Sequence, residues 1–529
     1  MVKRARNFLT RTNAQQTVGR AAAVISMAYL LSRLLGLFRD RLLVAAFGKG
    51  PVLDAYNAAF RMPELLFTLL VSGAFAVAFI PVFTAYLEQD KRDEAWRIAS
   101  SLLTLLVLGT IAGGILMAVF AGPLTTLVAP GFDPGRHKMT VELTRIMLIT
   151  PVFFAISSVL GGIQQSFNRF TVFALSGVMY NLGIIAGIVL LSSHYGIYGV
   201  AYGVVIGVVL QAALQWTGLY GLGFTFRPEL GLKLKGTRET LKLMVPRSID
   251  QGIDQINYLF ETVIGSTLAP GSIVAFTLAN NLKNVPLVLI SSSITTAVFP
   301  RLASRAAKGA RQELIEGYVQ SARLILFLAI PSAVFAIVTR GYIVRLLYGF
   351  GDIDTANTLG WFAGTIVFAG LFQLVSRVYF AMLDTRTPLY VSLASIPINI
   401  GLSFLLSHLY GVSGLAMAAS FVALLETVIL LIIMRRRQGN FGEAQILRGF
   451  APMVLAGGIM TAIVYAAVKI LVPLYAADRG FTTLAPKFAL LVLIGTVAYL
   501  IPCRLMRLRE VKMFTGRVRD IMVRSSNMT

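Results

Sequence analysis

The chain alternates long apolar segments with short polar ones, and this alternation predicts its secondary structure. A helix needs about 20 apolar residues to cross a hydrocarbon layer of about 30 Å. Fourteen runs of this kind predict an all-α polytopic membrane protein, and an even number places both chain ends on one side. The predicted spans, numbered 1 to 14, cover residues 21–45, 55–86, 98–121, 141–163, 170–191, 197–221, 243–267, 273–300, 324–339, 358–383, 387–407, 412–434, 450–472 and 485–503.

Basic residues between the spans predict the orientation of the chain. Loops rich in Lys and Arg stay in the cytoplasm. The N-terminus, the C-terminus and the loops after even-numbered spans hold 31 Lys and Arg residues, whereas the other loops hold seven. Both termini are therefore expected in the cytoplasm. The basic flank of span 1 resembles that of a signal peptide, but Arg33 interrupts its apolar stretch and no small-residue cleavage site follows, so we expect a retained span.

Composition excludes a water-soluble globular protein. Of the 529 residues, 56% are hydrophobic and only 13% are charged, with a mean hydropathy of +0.76, whereas soluble domains carry about 25% charged residues. The net charge of +23 does not indicate nucleic-acid binding, because the basic clusters at 435–437 and 504–524 lack interleaved aromatic residues and suit lipid headgroups. Cys503 is expected to be buried, and with three histidines it forms no metal-ligand cluster.

An internal repeat divides the chain. The run HYGIYGVA at 194–201 is echoed by HLYGVSGLA at 408–416, and Asn181 and Asn399 precede the two runs at a similar spacing. Parallel repeats are common in transporters. They predict two pseudo-symmetric six-helix lobes with spans 13 and 14 appended. The predicted boundaries are a basic N-terminus at 1–20, an N-lobe at 21–222, a cytoplasmic linker at 223–242, a C-lobe at 243–437, the last two spans at 438–503 and a basic tail at 504–529.

Proline and glycine mark particular spans. Pro63 and Pro286 interrupt spans 2 and 8, which hold corresponding places in the two halves. Such paired interruptions indicate either a binding site or simple kinks for packing. Gly199, Gly203 and Gly207 in span 6 predict a close contact between helices.

Charged residues inside the spans are the candidate functional residues, because an ionised group within a bilayer must face protein or water. Several cations together indicate an anionic substrate, since Arg binds phosphate oxygens with two parallel hydrogen bonds. The alternative is structural pairing of Arg33 with Asp40, or of Arg61 with Asp54 or Glu64. The predicted substrate-binding residues are Arg33, Arg39, Asp40, Asp54, Arg61, Lys283 and Arg377.

Span 7 carries a single polar stripe that includes Arg247, Asp250 and Asp254. Desolvated carboxylates bind protons and rigid oxygen clusters bind sodium, so the two aspartates are candidates for binding a coupling ion, Na⁺ or H⁺. The alternative is an Arg247–Asp250 pair on a wet surface. No nucleotide-binding, hydrolase or metalloprotease motif occurs. We therefore expect a transporter that uses an ion gradient, the membrane potential or the gradient of its substrate, with no cofactor and no catalytic residues.

Two local motifs are specific enough to indicate a family: SRLLGLFRD at 32–40 and DTRTP at 384–388. Through these motifs, and along the chain to about residue 437, the sequence resembles the MurJ (MviN) family, the lipid II flippases of bacterial peptidoglycan synthesis. The larger superfamily also contains multidrug exporters and polysaccharide-lipid flippases. The resemblance implies that Arg33, Arg39, Asp40, Asp54 and Arg61 line a cationic cavity for the substrate pyrophosphate. It also implies that spans 13 and 14 hold the polyprenyl tail.

Two positions depart from the family pattern. Members typically carry basic residues where this chain has Phe67 and Asn281. Lys283 lies about 200° around the helix from Asn281 and is not a simple substitute. The resemblance also implies a cation site that combines Asp250 or Asp254 with Asn399.

The expected function is that of an alternating-access flippase in the bacterial inner membrane, which moves a polyprenyl-diphosphate-linked cell-wall precursor to the outer leaflet. Lipid II is the favoured substrate. The alternatives are an ion-coupled exporter of small molecules and a flippase for another polyprenyl-linked glycan. The expected partners are the lipid substrate, membrane lipids and cell-wall synthesis proteins, with no nucleic acid.

Overall fold

A computed structural model describes the backbone at residues 18–475, 478 and 480–511. It also describes the side chains there, except at 18–26, 72–74, 76–77, 246–247, 249–250 and 253–254. Every regular element within these residues is a helix, which confirms the predicted fold class. Residues up to Val274 form one compact unit and residues from Ala275 form another. The predicted six-helix lobes and their boundaries stay a prediction.

The first unit contains the helices that correspond to spans 1 to 7. Within it, α1 packs against α9, α9 against α11, and α12 against α3 and α4. A short π-helical turn at Gly187–Leu191 continues α9. The helices are α1 (Val18–Phe47), α2 (Pro51–Ala59), α3 (Arg61–Leu70), α4 (Ser72–Glu88), α5 (Arg92–Val119), α6 (Ala121–Val128), α7 (Pro134–Met147), α8 (Thr150–Ser166), α9 (Phe170–Ala186), α10 (Ser192–Tyr195), α11 (Ile197–Thr217) and α12 (Lys235–Ser266).

The division between the units falls within α13, and the second unit contains the helices that follow it. Here α19 packs against α20, α18 against α15 and α20, and α21 against α15 and α22. Cys503 in α22 is fully buried, as predicted. The helices are α13 (Ser272–Pro286), α14 (Ser293–Ala307), α15 (Arg311–Val338), α16 (Arg340–Tyr348), α17 (Ile353–Trp361), α18 (Ala363–Ala381), α19 (Arg386–Tyr410), α20 (Val412–Gln438), α21 (Glu443–Ala466) and α22 (Phe481–Leu505).

Eleven helices within the described residues are long and apolar enough to cross a membrane. All fourteen predicted spans are helical, so fourteen spans are consistent with the structure, but spans 1, 2 and 7 are not among the eleven. Span 2 is divided among α2, α3 and α4, none longer than 17 residues. Part of α1 and part of α12 have side chains outside the described residues. The helix that contains span 9 begins at Arg311, 13 residues before the predicted span, and its first turns are polar.

The internal repeat is visible as a repeated turn. Gly196 and Gly411 have nearly the same conformation, with φ and ψ of 55° and −136° in one and 59° and −143° in the other. Residues with a Cβ rarely adopt this positive φ. Each glycine connects two helices at the place where the sequence repeats, so the repeat determines local structure in both units.

The glycines of α11 allow a close contact with α9 and the π-helical turn that follows it. A Cβ atom added to Gly203 would lie 2.6 Å from the Cα of Gly187, and one added to Gly199 would lie 2.6 Å from the carbonyl of Leu191. No side chain fits at these distances, so the backbones touch directly. The predicted role of this glycine series in helix contact is confirmed.

The prolines lie at interruptions of the helices, as predicted. Pro63 is the third residue of α3, just after the break at Phe60. Pro286 ends α13, and a π-helical turn at Leu287–Ser292 follows it. Proline lacks an amide hydrogen and clashes with the preceding turn, so the regular hydrogen-bond pattern does not continue through it.

A buried ion pair holds the segment after α22 within the second unit. Arg323 on α15 donates hydrogen bonds from Nε and Nη2 to the two carboxylate oxygens of Glu510, at 2.6 and 3.1 Å. The side chains of Arg323 and Glu510 are 20% and 4% exposed. Leu508 and Val511 beside Glu510 are buried as well, so the pair fixes residues 508–511.

Removing this pair should destabilise the protein. Glu510→Gln should lower the free energy of unfolding by about 2 kcal/mol, because a buried guanidinium loses its charged partner. The matched control is Glu239→Gln, which breaks an exposed pair with Lys235 at 4.0 Å and should cause no measurable change. Thermal unfolding of the purified variants measures both. Equal losses in the two variants would contradict a special role for the buried pair.

Candidate functional site

The first unit contains a hydrogen-bonded cluster around Arg39. The Nε and Nη2 atoms of Arg39 donate to Asp40 Oδ1 at 3.1 and 2.8 Å, and Nη1 donates to Asn181 Oδ1 at 3.4 Å. The side chains of Arg39 and Asp40 are 22% and 8% exposed. A guanidinium held by two partners keeps one orientation, so its remaining N–H groups point in defined directions.

Asn181 is oriented in turn by α1 and by its own helix. Its Nδ2 donates to the backbone oxygen and the hydroxyl of Ser32, at 3.3 and 3.2 Å, and to the Gly177 carbonyl at 3.0 Å. Because the Nδ2 atom donates to these oxygens, the other amide atom, Oδ1, is the one that accepts the hydrogen bond from Arg39. In the sequence, Asn181 indicates only the internal repeat, and its contact with Arg39 was not predicted. The polar amide within an apolar span was the signal that could have found it.

Arg33 lies six residues before Arg39 on α1 and is exposed. Its Nε and Nη2 donate to the Tyr29 hydroxyl at 3.0 and 2.8 Å, and its guanidinium lies 5.1 Å from the centre of the Tyr29 ring. These residues are one helical turn apart, where side chains meet. A neutral hydroxyl does not offset the positive charge of the guanidinium as a carboxylate would, so Arg33 can still attract an anion.

Arg61 joins α3 to α12. Its Nε donates to the Thr262 hydroxyl at 2.8 Å and its Nη1 donates to Glu64 at 3.4 Å. Its guanidinium also lies 5.6 Å from the centre of the Tyr258 ring. The Arg61 side chain is only 12% exposed. The predicted structural pairing with Glu64 is therefore present, and Thr262 and Tyr258 are partners that the sequence did not reveal.

The hydrogen bonds that Asp54 accepts in the described part of the chain come from backbone amides. Its Oδ2 accepts from the amide of Gly271 at 2.5 Å, and its Oδ1 accepts from the amide of Val274 at 3.0 Å. These amides lie where α13 begins, and first-turn amides have no partner within their own helix. Asp54 is 2% exposed. The geometry gives Asp54 a helix-capping role, while its predicted contact with substrate stays a prediction.

The remaining predicted site residues lie in the second unit or outside the described side chains. Lys283 lies 4.5 Å from the centre of the Phe362 ring. Arg377 lies 5.4 Å from the ring of Phe299 and 5.7 Å from that of Phe380, and Asn399 is buried. The side chains of Asp250 and Asp254 lie outside the described residues. Their role in ion coupling stays a prediction.

The motif DTRTP at 384–388 is a helix-capping element. Asp384 accepts from the amides of Arg386 and Thr387 at 3.1 and 3.0 Å, and from the Thr387 hydroxyl at 2.6 Å. Arg437 also donates to it at 3.2 Å. Partial burial opposes ionisation of Asp384, but the bonds from Thr387 and the charge of Arg437 hold its pKa below the usual value. The motif thus begins α19 with a carboxylate that stays charged.

No group of three or more His, Cys, Asp or Glu side chains within the described residues is arranged to hold a metal ion. The cluster around Arg39 and the neighbouring Arg33 instead offer hydrogen-bond donors and positive charge. This arrangement suits an anion with several oxygen atoms, such as a phosphate.

In the part of the chain that the structure describes, every regular element is a helix, eleven helices can cross a membrane, and α1 and α3 carry half-buried arginines. These features are typical of multi-pass membrane transport proteins. Comparison with known proteins narrows this class. A family model described as "Lipid II flippase MurJ" matches residues 43–485. The chain therefore belongs to the MurJ lipid II flippase family, and the resemblance found in the sequence is confirmed.

Individual relatives agree with this assignment. A protein of Rhizobium meliloti (strain 1021) named "Probable lipid II flippase MurJ" is 32% identical over 471 residues, which cover 84% of this chain and 86% of the relative. A protein of Burkholderia cenocepacia named "Lipid II flippase MurJ" is 25% identical over 460 residues, which cover 84% of this chain and 89% of the relative.

Solved structures share the fold. A structure described as "Lipid II flippase MurJ, inward closed conformation" superposes with a TM-score of 0.75 at 23% identity and covers 92% of this chain and 99% of its own. An inward-facing multidrug resistance MATE family transporter of the MOP superfamily gives a TM-score of 0.65 at 14% identity, covering 80% of this chain and 99% of its own. At these identities the likeness concerns the fold alone.

Proposed function

We propose that this protein is a lipid II flippase that moves the polyprenyl-diphosphate-linked precursor of peptidoglycan from the inner to the outer leaflet of the bacterial inner membrane. Membership of the MurJ family supports the substrate, and the arginine cluster of the first unit carries the proposal chemically. The function is transport by alternating access, in which the substrate crosses unchanged.

Arg39 and Arg33 have complementary properties for binding a diphosphate. The bonds from Arg39 to Asp40 and Asn181 use three of its five N–H donors. One N–H remains on each terminal nitrogen, in the forked geometry that binds two phosphate oxygens. Arg33 is exposed and holds only the neutral Tyr29 hydroxyl through the bonds described here. We therefore assign recognition of one phosphate to Arg39 and attraction of the diphosphate to Arg33.

The proposed orientation has both termini in the cytoplasm. The excess of Lys and Arg in one set of loops supports it. Transport must release the diphosphate on the outer side, so the binding residues must become accessible first from the cytoplasm and then from outside. The proposed source of energy is a Na⁺ or H⁺ gradient or the membrane potential. Asp250 and Asp254 on α12, with Asn399, are the residues proposed for coupling. Cell-wall synthesis proteins are the proposed partners.

Complementation tests this function. The resident lipid II flippase of a tractable bacterium is depleted, this chain is expressed, and accessibility of lipid II at the outer face is assayed together with growth. Restored growth and restored exposure of lipid II are expected. A well-inserted protein that restores neither would contradict lipid II transport. Carboxylates within the spans would attract a cationic drug, and this chain has Asp250 and Asp254 in span 7 and Glu426 in span 12. Export of cationic drugs that needs these three residues but neither Arg33 nor Arg39 would instead indicate a small-molecule exporter.

A further inference from the structure

An open cleft lies within the first unit, between α1, α3, α8, α9 and α11. Its walls include four aromatic rings, and the other lining residues are alanine, glycine, serine and glutamine. No charged side chain of the described residues lines it. The aromatic residues are Tyr29, Phe67, Phe154 and Phe173.

The aromatic rings of the cleft wall pack against one another. The ring of Phe67 lies 5.0 Å from that of Phe154, centre to centre, with 45° between the ring planes. Phe154 in turn lies 5.4 Å from Tyr180. This packed aromatic surface attracts C–H groups and apolar faces rather than anions.

The polar residues of the cleft offer hydrogen-bonding groups without a charge. Gln215 and Ser157 are 2% and 3% exposed. Gln215 Nε2 donates to the Ser176 hydroxyl at 2.9 Å. Within the described residues, Gln215 Oε1 and the Ser157 hydroxyl have no hydrogen-bond partner. A buried amide oxygen without a partner is stabilised by a ligand that brings a hydrogen-bond donor. An ionised phosphate diester carries no such donor, whereas a hydroxyl or an N-acetyl group carries one.

The cleft is continuous with the arginine cluster through two shared residues. Tyr29 lines the cleft and accepts the hydrogen bonds of Arg33. Ser32 also lines the cleft and accepts from Asn181, the residue that holds Arg39. A group in the cleft therefore lies next to a diphosphate held by the arginines. The same arginines oppose binding of a metal cation there, because like charges repel.

We propose that this cleft binds an uncharged sugar ring of the lipid-linked substrate, next to the diphosphate. The ring's C–H face stacks on Phe67 and Phe154, and its hydroxyl or N-acetyl groups donate to Gln215 and Ser157. This inference rests on the proposed function.

Binding measurements with two probes test this proposal. The full chain is purified in lipid nanodiscs, and its affinities for undecaprenyl diphosphate, which has no sugar, and for lipid II are measured by native mass spectrometry. The unmodified protein should bind lipid II more tightly. Phe67→Leu should weaken lipid II binding about tenfold, the effect of losing roughly 1.4 kcal/mol of aromatic contact, and should leave undecaprenyl diphosphate binding unchanged. Phe67→Tyr, which keeps the ring, should retain both affinities.

Gln215→Leu and Arg39→Ala provide the contrasting cases. Gln215→Leu should also weaken lipid II binding alone, whereas Arg39→Ala should weaken binding of both probes because both carry the diphosphate. If Gln215→Leu does not fold, the smaller change Ser157→Ala tests the polar side of the cleft in its place. It should also weaken lipid II binding alone.

These measurements distinguish a wrong assignment of the sugar cleft from a wrong assignment of the function. Equal affinity of the unmodified protein for both probes, or equal weakening of both by Phe67→Leu, would overturn the sugar assignment while leaving flippase function intact. Failure of the unmodified, folded protein to bind lipid II at all would overturn the proposed function as well.

Discussion

Arg39→Ala should abolish transport of lipid II. The substitution removes the fork that we assign to a phosphate, and charge-assisted hydrogen bonds of this kind contribute about 1.5 to 3 kcal/mol each. Two of them correspond to a loss of affinity of roughly 100-fold or more. Asp40, whose side chain is 8% exposed, also loses its ion pair with Arg39, which leaves more negative charge near the bound diphosphate. Accessibility of lipid II at the outer face, measured in the complementation strain, should fall to the level of the depleted cells.

Three further variants distinguish binding from structural pairing. Arg41→Ala removes a half-buried neighbouring arginine from the same helix and should retain transport. Arg39→Lys keeps the charge but lacks the forked donors, so it should restore only part of the activity. The double variant Arg39→Ala with Asp40→Ala removes both members of the Arg39–Asp40 ion pair. Full transport by the double variant would contradict phosphate binding by Arg39, because only the pairing role would then have mattered.

Asp54→Ala should produce the largest loss of stability among single polar substitutions in the first unit. The carboxylate accepts hydrogen bonds from the amides of Gly271 and Val274 at 2.5 and 3.0 Å. Loss of both partners leaves two buried N–H groups unsatisfied at the start of α13, at a cost of about 2 kcal/mol or more. The thermal unfolding midpoint of the purified protein should fall by several degrees. Asp54→Asn keeps one accepting oxygen and should show a smaller fall.

Asp133 provides the matched control for Asp54. It caps α7 by accepting from the amides of Gly135 and Arg136, both at 3.0 Å. Its carboxylate is exposed, and the hydrogen bonds from the Arg136 amide and side chain hold its pKa below the usual value. Water can replace an exposed cap, so Asp133→Ala should change the unfolding midpoint much less than Asp54→Ala. Equal changes would show that burial does not strengthen the Asp54 cap.

The helices were predictable because the bilayer imposes a length and a composition on every segment that crosses it. All fourteen predicted spans are helical, and the repeated glycine turns at Gly196 and Gly411 follow from a sequence repeat that needs no tertiary information. The breaks within span 2 at Phe60 and Val71 were only partly predictable. Pro63 signals the first interruption, whereas the second is accompanied only by the weaker turn signal of a Ser-Gly pair at 72–73.

The candidate site was predictable in its composition but not in its connections. Charged residues within apolar runs identify Arg33, Arg39 and Arg61 as exceptional. Their partners depend on which helices touch. Asn181 lies 142 residues from Arg39, and Thr262 lies 201 residues from Arg61. The helical period predicts which side chains share a face of one helix, but it does not predict which other helix lies opposite that face. Several helices carry polar atoms of the same kind, so the partner depends on how the helices pack.

The sequence by itself determined that this is a helical membrane protein of the MurJ family with a cluster of arginines in its first spans, because hydropathy, charge bias and local motifs depend on residue order alone. Tertiary structure alone decided that Asp54 caps α13, that Asn181 orients Arg39, and that Phe67 joins Phe154 in the wall of an uncharged cleft. These properties arise from distances between side chains on different helices, and such distances are set by packing rather than by spacing along the chain.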